Sequence, residues 1–261
     1  MNHPDVLDVH LHIDLDRPHP LTAAEDVLRR MDRNGIGAAI ASPSPSYETP
    51  DGVRSTRAQN EALASVLARW PDRFPAGLGV AEPRHGAAAV AEARRAVDEC
   101  GLHGLVFDND VCGLAIDSEA MMPILEELAA RPDAIAAVYT AAYSVLRSPF
   151  RLGIVARRLP QLRFLSLNSF ADITHETASE DLAARQDNIW FCLGNAKTQL
   201  YTVERAVERI GVDRVLFGSG IPLVESSLHL QMVQIADISA ESRAAVLAGN
   251  ARRLFGLEEE K

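Results

Sequence analysis

Two histidines in one short apolar segment are the residues of this sequence best suited to chemistry. His10 and His12 lie near the end of the segment Val6–Ile13 and are separated by one residue. On a β-strand, residues two apart face the same side, so the two imidazoles would project together. Imidazole is a common ligand of divalent metal ions, and this spacing predicts that both rings share one ion. The alternative is a hydrogen-bonded pair of histidines in the protein interior.

Charged residues that follow other apolar segments are further candidates. Asp108 follows the segment Gly104–Phe107, where its carboxylate could act in catalysis or replace a metal ligand; the alternative is the acidic cap of a surface loop. Lys197 is one of only two lysines among 26 basic residues. Its amine could form a Schiff base or pair with a carboxylate, unless it is a surface lysine. Glu82 and His175 are weaker candidates, each expected to be a solvated loop residue.

Polar and aromatic residues after three further segments are candidates to contact a substrate. Asn168 follows the sixth apolar segment and is a third catalytic candidate. Tyr47 follows the second segment, and Tyr139, Thr140 and Tyr143 end or follow the fifth. These four residues are predicted to bind substrate. For Tyr139, the alternative is packing in the interior with a hydrogen-bonded hydroxyl.

These candidates belong to eight short apolar segments that alternate with helical patterns. The helical segments carry apolar residues at positions i, i+3, i+4 and i+7, so each presents one stripe to a sheet. The apolar segments are Val6–Ile13, Ile36–Ala41, Ala76–Val80, Gly104–Phe107, Ala134–Tyr139, Arg163–Leu167, Ile189–Leu193 and Arg214–Phe217.

Eight alternating units over 261 residues predict an α/β protein, a single (β/α)8 TIM barrel. An open doubly wound sheet has the same local pattern, but it usually carries a phosphate-binding loop. The sequence contains neither GxGxxG nor GxxxxGK[ST], which favours the barrel. Reacting groups of such barrels lie at the carboxyl ends of the strands, so the candidates would share one mouth.

Length and composition limit the remaining possibilities. A barrel of this length is one domain, so residues 1–261 are expected to form a single unit. The net charge of −10 argues against nucleic acid and anionic membranes as partners. No segment has the length and hydrophobicity of a membrane span or signal peptide, which predicts a cytoplasmic protein. The three cysteines show no CxxC spacing and are expected to be reduced thiols.

Four stretches of the sequence together resemble the amidohydrolase-related family. They are the strand DVHLH, the segment WPDRFPAGLG, the segment LFGSGIP and the closing GNARRLFGL. The family includes aminocarboxymuconate-semialdehyde decarboxylase, related aromatic-acid decarboxylases and lactone hydrolases. The resemblance covers nearly the whole chain in the family's order and independently implies the barrel.

The resemblance also implies a metal site, of which this sequence keeps only a part. The family binds one divalent ion, commonly zinc, through two strand-one histidines, a strand-five histidine and a strand-eight aspartate. A further catalytic histidine follows strand six. His10 and His12 match the first pair, but the other three positions do not match. The fifth strand reads Ala137-Val-Tyr139-Thr140-Ala-Ala-Tyr143 without a histidine, the sixth is followed by Asn168-Ser169-Phe170, and the eighth by Gly218-Ser219-Gly220. We therefore expect either a rebuilt site for one ion or a site without metal.

Two functions follow from these observations. The first is an enzyme that hydrolyses or decarboxylates a small carbonyl or carboxylate compound. The second is a non-catalytic family member that binds a small molecule or a partner, which the loss of three functional positions favours. Convergence of positions 10, 12, 108, 140, 168 and 197 on one pocket would favour chemistry or specific binding. The resemblance further implies a homodimer.

Overall fold

The computed structural model describes most of the chain. It covers residues 6–16, 18–45, 52–141, 143–196, 201–223 and 227–257.

All eight predicted strands are present. Each forms inside or across one of the apolar segments, where branched and aromatic side chains favour extended backbone. The strands are β1 (Leu7–Ile13), β2 (Ala38–Pro43), β3 (Ala76–Gly77), β4 (Gly104–Phe107), β5 (Ile135–Tyr139), β6 (Arg163–Leu167), β7 (Ile189–Cys192) and β8 (Val215–Leu216).

The strands form two parallel sheets that follow one another around a circle and are joined by isolated bridges. Strands β1–β3 make one sheet and β4–β8 a second, each in chain order. A bridge between Gly79 and Leu105 joins β3 to β4, and a bridge between Leu11 and Ile221 joins β1 to the segment after β8. At the latter seam the Gly220 amide donates to the His10 carbonyl at 2.8 Å. The predicted (β/α)8 barrel is confirmed.

Helices cover the outside of this circle. Most begin after a strand and run back along it, as the predicted apolar stripes require. The helices are α1 (Pro20–Asn34), α2 (Val53–Arg69), α3 (Ala87–Asp98), α4 (Asn109–Cys112), α5 (Met122–Ala129), α6 (Pro149–Arg158), α7 (Ile173–Arg185), α8 (Thr202–Ile210), α9 (Ser227–Ile235), α10 (Ala240–Ala244) and α11 (Asn250–Leu254). None of the helices in the described ranges is long and apolar enough to cross a membrane.

An irregularity in β1 sets the direction of its histidines. The pairing of β1 with β2 shifts register between Asp8 and Leu11. Beyond the shift, Leu11 and Ile13 pack with the helices in the outer apolar cluster. His10 and His12 alternate with them and contact Tyr139, which packs with the apolar residues inside the barrel. Both imidazoles are therefore inside the barrel, as the i, i+2 spacing predicted.

Candidate active site

The hydroxyl of Tyr139 lies between the imidazoles of His10 and His12. It is in hydrogen-bond contact with Nε2 of His12 and lies 3.3 Å from Nε2 of His10. The two imidazole centres are 5.0 Å apart, with their planes nearly perpendicular. All three side chains are almost fully buried. The sequence predicted the histidine pair, and the structure adds the phenol as the group that joins it.

The hydrogen bonds of His12 define which atoms carry protons. Its Nδ1 lies 2.8 Å from Oγ of Ser42, and that hydroxyl donates to the carbonyl of Leu11 at 3.2 Å. If the Ser42 hydroxyl gives its proton to the Leu11 carbonyl, its oxygen accepts the Nδ1 proton of His12, which leaves Nε2 as an acceptor. Tyr139 then donates to His12, and His10 must donate through its own Nε2 to the tyrosine oxygen. The two histidines carry opposite tautomers.

Close contacts with strand β7 and the segment after β8 hold the imidazole of His10. A Cβ added to Gly194 would lie 2.4 Å from Nδ1 of His10, and one added to Gly218 would lie 2.7 Å from its Cβ. Among the described residues, Nδ1 of His10 has no hydrogen-bond partner. This nitrogen faces the chain near Gly194, and glycine at both positions leaves the ring the space that it occupies.

Burial keeps the cluster neutral at physiological pH. Desolvation, with smaller contributions from His12 and His229, lowers the pKa of His10 well below its usual value. Burial also lowers the pKa of His12 to about 4. Burial raises the pKa of Tyr139 well above its usual value, Asp108 adds to this shift and Arg147 opposes it. Neutral imidazoles and a neutral phenol are therefore the resting forms.

A carboxylate close to the cluster is used to hold the barrel seam. Asp8 accepts from the amides of His10 and Ser219, each at 2.9 Å, and from the Ser219 hydroxyl. Burial raises the pKa of Asp8 to about 6, although these hydrogen bonds act in the opposite direction. Asp8 thereby connects β1 with the segment after β8 and fixes the backbone that carries His10.

A cavity at the barrel mouth reaches Tyr139. Residues from the ends of β2 to β5 contribute to its wall, among them Gln59, Glu82, Val106, Phe107, Asp108 and Tyr139. The guanidinium carbon of Arg147 lies 5.3 Å from the centre of the Tyr139 ring. Nε of Arg147 is 2.8 Å from Asp108 and 3.2 Å from Asp110. Asp108 lines the cavity, but its carboxylate is the partner of Arg147 and accepts from the Asp110 amide at the start of α4, which agrees with the alternative of an acidic cap.

Thr140 turns away from the cavity although it follows Tyr139 directly. Its hydroxyl donates to the Leu167 carbonyl at 2.7 Å and lies 2.9 Å from Nε2 of His175 and 3.0 Å from the Ser166 hydroxyl. His175 is fully buried, so the expectation that it is a solvated loop residue is wrong. Thr140, predicted to bind substrate, instead belongs to a polar cluster between the barrel and α7.

Tyr143 and Asn168 do not line the cavity. Tyr143 is 75% exposed. Asn168 ends β6 with a left-handed φ of 61°, and its buried amide oxygen has no partner within the described part of the chain. Tyr47 and Lys197 lie outside the described residues, so their predicted roles stay predictions.

Three residues of the site were not predicted from the sequence. Ser42 had a usable signal, because it ends the segment that pairs with the histidine strand and stands opposite His12. His229 on α9 is buried with Nε2 3.2 Å from the Ala196 carbonyl, and it acts electrostatically on His10. Arg147 lies in the loop between β5 and α6. The chain contains many arginines, and nothing in the sequence distinguishes this one.

The chain belongs to the amidohydrolase family, whose pattern matches residues 7–257. No curated protein matches the sequence.

Solved structures of aromatic-acid decarboxylases share the fold. The structure of 5-carboxyvanillate decarboxylase from Sphingomonas paucimobilis is 19% identical, with a TM-score of 0.76 over 96% of this chain and 98% of that one. The Rhizobium 2,6-dihydroxybenzoate decarboxylase is 18% identical, with a TM-score of 0.74 over 99% and 100%. A dihydroxybenzoic acid decarboxylase from Polaromonas, with bound manganese and the inhibitor 2-nitroresorcinol, is 18% identical, with a TM-score of 0.73 over 100% and 98%.

The residues of this chain do not fit the ion that the resemblance implies. The Tyr139 hydroxyl is bonded to Nε2 of His12 and lies near Nε2 of His10, where a shared ion would be held. Within the described ranges, no group of three histidine, cysteine, aspartate or glutamate side chains is arranged to hold a metal. A catalytic zinc ion normally has three protein ligands, so the two imidazoles alone are an incomplete set.

Proposed function

We propose that the protein is an enzyme that hydrolyses or decarboxylates a small carbonyl or carboxylate compound at the barrel mouth. The observation that carries this proposal is the cavity wall at Tyr139, whose hydroxyl is bonded to two neutral imidazoles. A buried acid–base cluster beside a cavity at the carboxyl ends of barrel strands is typical of an active site. The decarboxylases with the same fold support the reaction class by analogy.

The cluster offers a path for a proton from the cavity to His12, which is a weak base because burial lowers its pKa to about 4. A water molecule or substrate hydroxyl in the cavity donates its proton to the Tyr139 oxygen. The tyrosine proton passes at the same time to Nε2 of His12, and Nδ1–H of the resulting imidazolium stays bonded to Ser42. The proton that His12 has taken up in this step can return through the Tyr139 oxygen to a substrate atom, which restores the neutral cluster. Removal of a proton from water assists hydrolysis, and delivery to carbon completes a decarboxylation.

A non-catalytic role is the second candidate, because both carboxylates in the cavity wall are paired with arginines, Asp108 with Arg147 and Glu82 with Arg84. An arginine between Asp108 and Asp110 can hold a polar ligand in place without any chemistry. In that case the cavity binds a small molecule, and the histidines only fix its wall.

Kinetics on small lactones, aromatic acids and other carboxylates distinguish the two candidates. We expect turnover by the wild type and a loss of about 100-fold or more in kcat for Tyr139→Phe, the usual size of a proton-transfer contribution. Ser179→Ala removes a buried hydroxyl on α7 that donates to the Ser169 carbonyl and is the matched control. Ligand binding without turnover, equal in wild type and Tyr139→Phe, would establish the second candidate.

Composition and resemblance support two further parts of the proposal. We propose a cytoplasmic homodimer with a small molecule as its ligand and with neither nucleic acid nor membrane as a partner. The net charge of −10 supports the exclusion of both polyanions. Gel filtration with light scattering should give twice the 28.3 kDa mass of the chain. The mass of a monomer would remove the dimer from the proposal.

A further inference from the structure

We infer that Tyr139 takes the place of the metal ion: its hydroxyl joins His10 to His12 and excludes a divalent ion from the pair. The inference deepens the proposed function, because it makes the phenol the central acid–base group of that site. Its support is the direction of the Tyr139, His10 and His12 side chains, the hydrogen-bond partners of the imidazole nitrogens and the space around the His10 ring.

The first argument is the position of the hydroxyl. Two ligands of one tetrahedral zinc ion, each about 2.0–2.1 Å from it, lie roughly 3.3 Å apart. The Tyr139 oxygen is in direct hydrogen-bond contact with Nε2 of His12, so no ion fits between these two atoms. The oxygen also lies 3.3 Å from Nε2 of His10. Both Nε2 atoms are thus directed at a hydroxyl, and the exclusion of an ion rests on the direct contact with His12, since 3.3 Å is also a separation that two zinc ligands have.

The second argument is the unequal support of the two histidines. A metal-bound histidine almost always donates its other N–H to a carbonyl, carboxylate or water. Nδ1 of His12 has such a partner in Ser42. Nδ1 of His10 has none among the described residues, and a Cβ added to Gly194 would lie 2.4 Å from it. Within the described ranges a proton on that nitrogen would have no acceptor, which favours donation by His10 through Nε2.

The third argument concerns the carboxylate that is closest in sequence. Asp8 accepts from Ser219 and from the His10 amide. These contacts direct Asp8 to the seam between β1 and β8. Asp108 is bound to Arg147. Both carboxylates are therefore committed to other partners, and neither completes a ligand set with the imidazoles.

Shortening the side chain at position 139 tests the inference. Histidine at this position would retract the polar atom by about one metal–nitrogen bond, roughly 2 Å, and would supply a third imidazole. Wild type, Tyr139→His, Tyr139→Phe and the double variant His10→Ala/His12→Ala are purified without affinity metal or chelator. Each is incubated with Zn²⁺, freed of excess ion by gel filtration and measured by elemental mass spectrometry.

We expect less than about 0.1 equivalents of zinc in wild type and in Tyr139→Phe, and about one equivalent in Tyr139→His. The added zinc should disappear when His12→Ala is combined with Tyr139→His. Near-stoichiometric zinc in wild type that the double histidine variant loses would overturn the inference. So would a folded Tyr139→His that takes up no more zinc than wild type.

A second variant covers a failure of Tyr139→His to fold. Tyr139→Cys also shortens the side chain and supplies a third ligand, so it is loaded in place of Tyr139→His, and its zinc should disappear when His12→Ala is added. A folded Tyr139→Cys that takes up no more zinc than wild type would overturn the inference. Metal loading is read without substrate. A wild type that binds no zinc and turns nothing over therefore refutes only the proposed function, and an active zinc protein refutes only this inference.

Discussion

Two buried polar clusters of this protein start from neighbouring residues of one strand. The inner cluster consists of Tyr139 with His10 and His12 inside the barrel. The outer cluster consists of Thr140 with His175 and Ser166, between the barrel wall and α7. Each contains neutral histidine bonded to a hydroxyl, and each is almost completely buried.

The two clusters differ in what lies next to them. Tyr139 reaches a cavity at the mouth, whereas the Thr140 hydroxyl is surrounded by the Leu167 carbonyl, Ser166 and His175. The same chemical groups therefore serve two purposes. Beside a cavity they can exchange a proton with a ligand, and beneath a helix they satisfy buried donors and acceptors. Side-chain direction, not residue type, separates the site from the scaffold.

Removal of the Tyr139 hydroxyl from the inner cluster should have the largest effect on activity. Tyr139→Phe keeps the ring but removes the proton path between the two imidazoles, so kcat should fall about 100-fold or more. The free energy of unfolding should fall by about 1–3 kcal/mol, because the buried Nε2 atoms of His10 and His12 lose their hydrogen-bond partner. Steady-state kinetics and urea unfolding of the same preparation measure both. Unchanged kcat would place catalysis elsewhere.

His175, in the outer cluster, should make the free energy of unfolding depend on pH. Burial lowers the pKa of His175 to about 4, from a usual value of 6.5. Between these values the unfolded chain binds the proton and the folded chain does not, so stability should fall as the pH drops from 6.5 towards 4. The loss attributable to this residue is about 3 kcal/mol over the window. Urea unfolding at several pH values measures it.

His175→Gln is the control for that experiment, because an amide can still donate to Thr140 but does not titrate. Its unfolding free energy should depend less steeply on pH than that of wild type below pH 6.5. Asp8 acts in the opposite direction, since its raised pKa of about 6 adds stability as the pH falls through this value. An identical slope in wild type and His175→Gln would contradict the assignment.

Removal of the outer hydroxyl should affect stability and leave catalysis intact. Thr140→Val leaves the Nε2 of His175 and the Ser166 hydroxyl without this partner, which costs about 1–3 kcal/mol for a buried donor. Kinetic constants should stay within about twofold once the protein is folded. If Thr140→Val lost as much activity as Tyr139→Phe, the separation of the two clusters would fail.

The smallest expected effect concerns the arginine that packs on the inner cluster. Arg147→Met removes the cation between Asp108 and Asp110 but keeps an apolar side chain over the Tyr139 ring. We expect a loss of about 1 kcal/mol in stability, discounted for the solvent that reaches the mouth, and a rise in KM larger than any fall in kcat. Kinetics at two salt concentrations test this, and an unchanged KM would exclude Arg147 from ligand binding.

The sequence predicted the eight strands and the inward histidine pair because both depend on local pattern. Apolar segments between amphipathic helices define the barrel, and i, i+2 spacing places His10 with His12. The direction of Tyr139 and Thr140 was not predictable in this way. Strands of a parallel barrel are buried on both faces, so no alternation of polar and apolar residues distinguishes inside from outside.

Other parts of the site depend on contacts between distant residues. The register shift in β1 and the capture of Asp8 by Ser219 arise where β1 meets the segment after β8. The burial of His175 depends on how α7 packs against the end of β5. Such contacts join residues far apart in the chain, and the local sequence around each one gives no sign of its partner.

The protonation of the two histidines in the resting wild-type protein tests the central claim most directly. Two-dimensional ¹H–¹⁵N correlation of the imidazole nitrogens near pH 7, assigned with His10→Ala and His12→Ala, reports which nitrogen of each ring carries the proton. The Tyr139 bridge predicts a proton on Nδ1 of His12 and on Nε2 of His10. Protons on Nδ1 of both rings, with both Nε2 atoms bound to a metal ion, would contradict it.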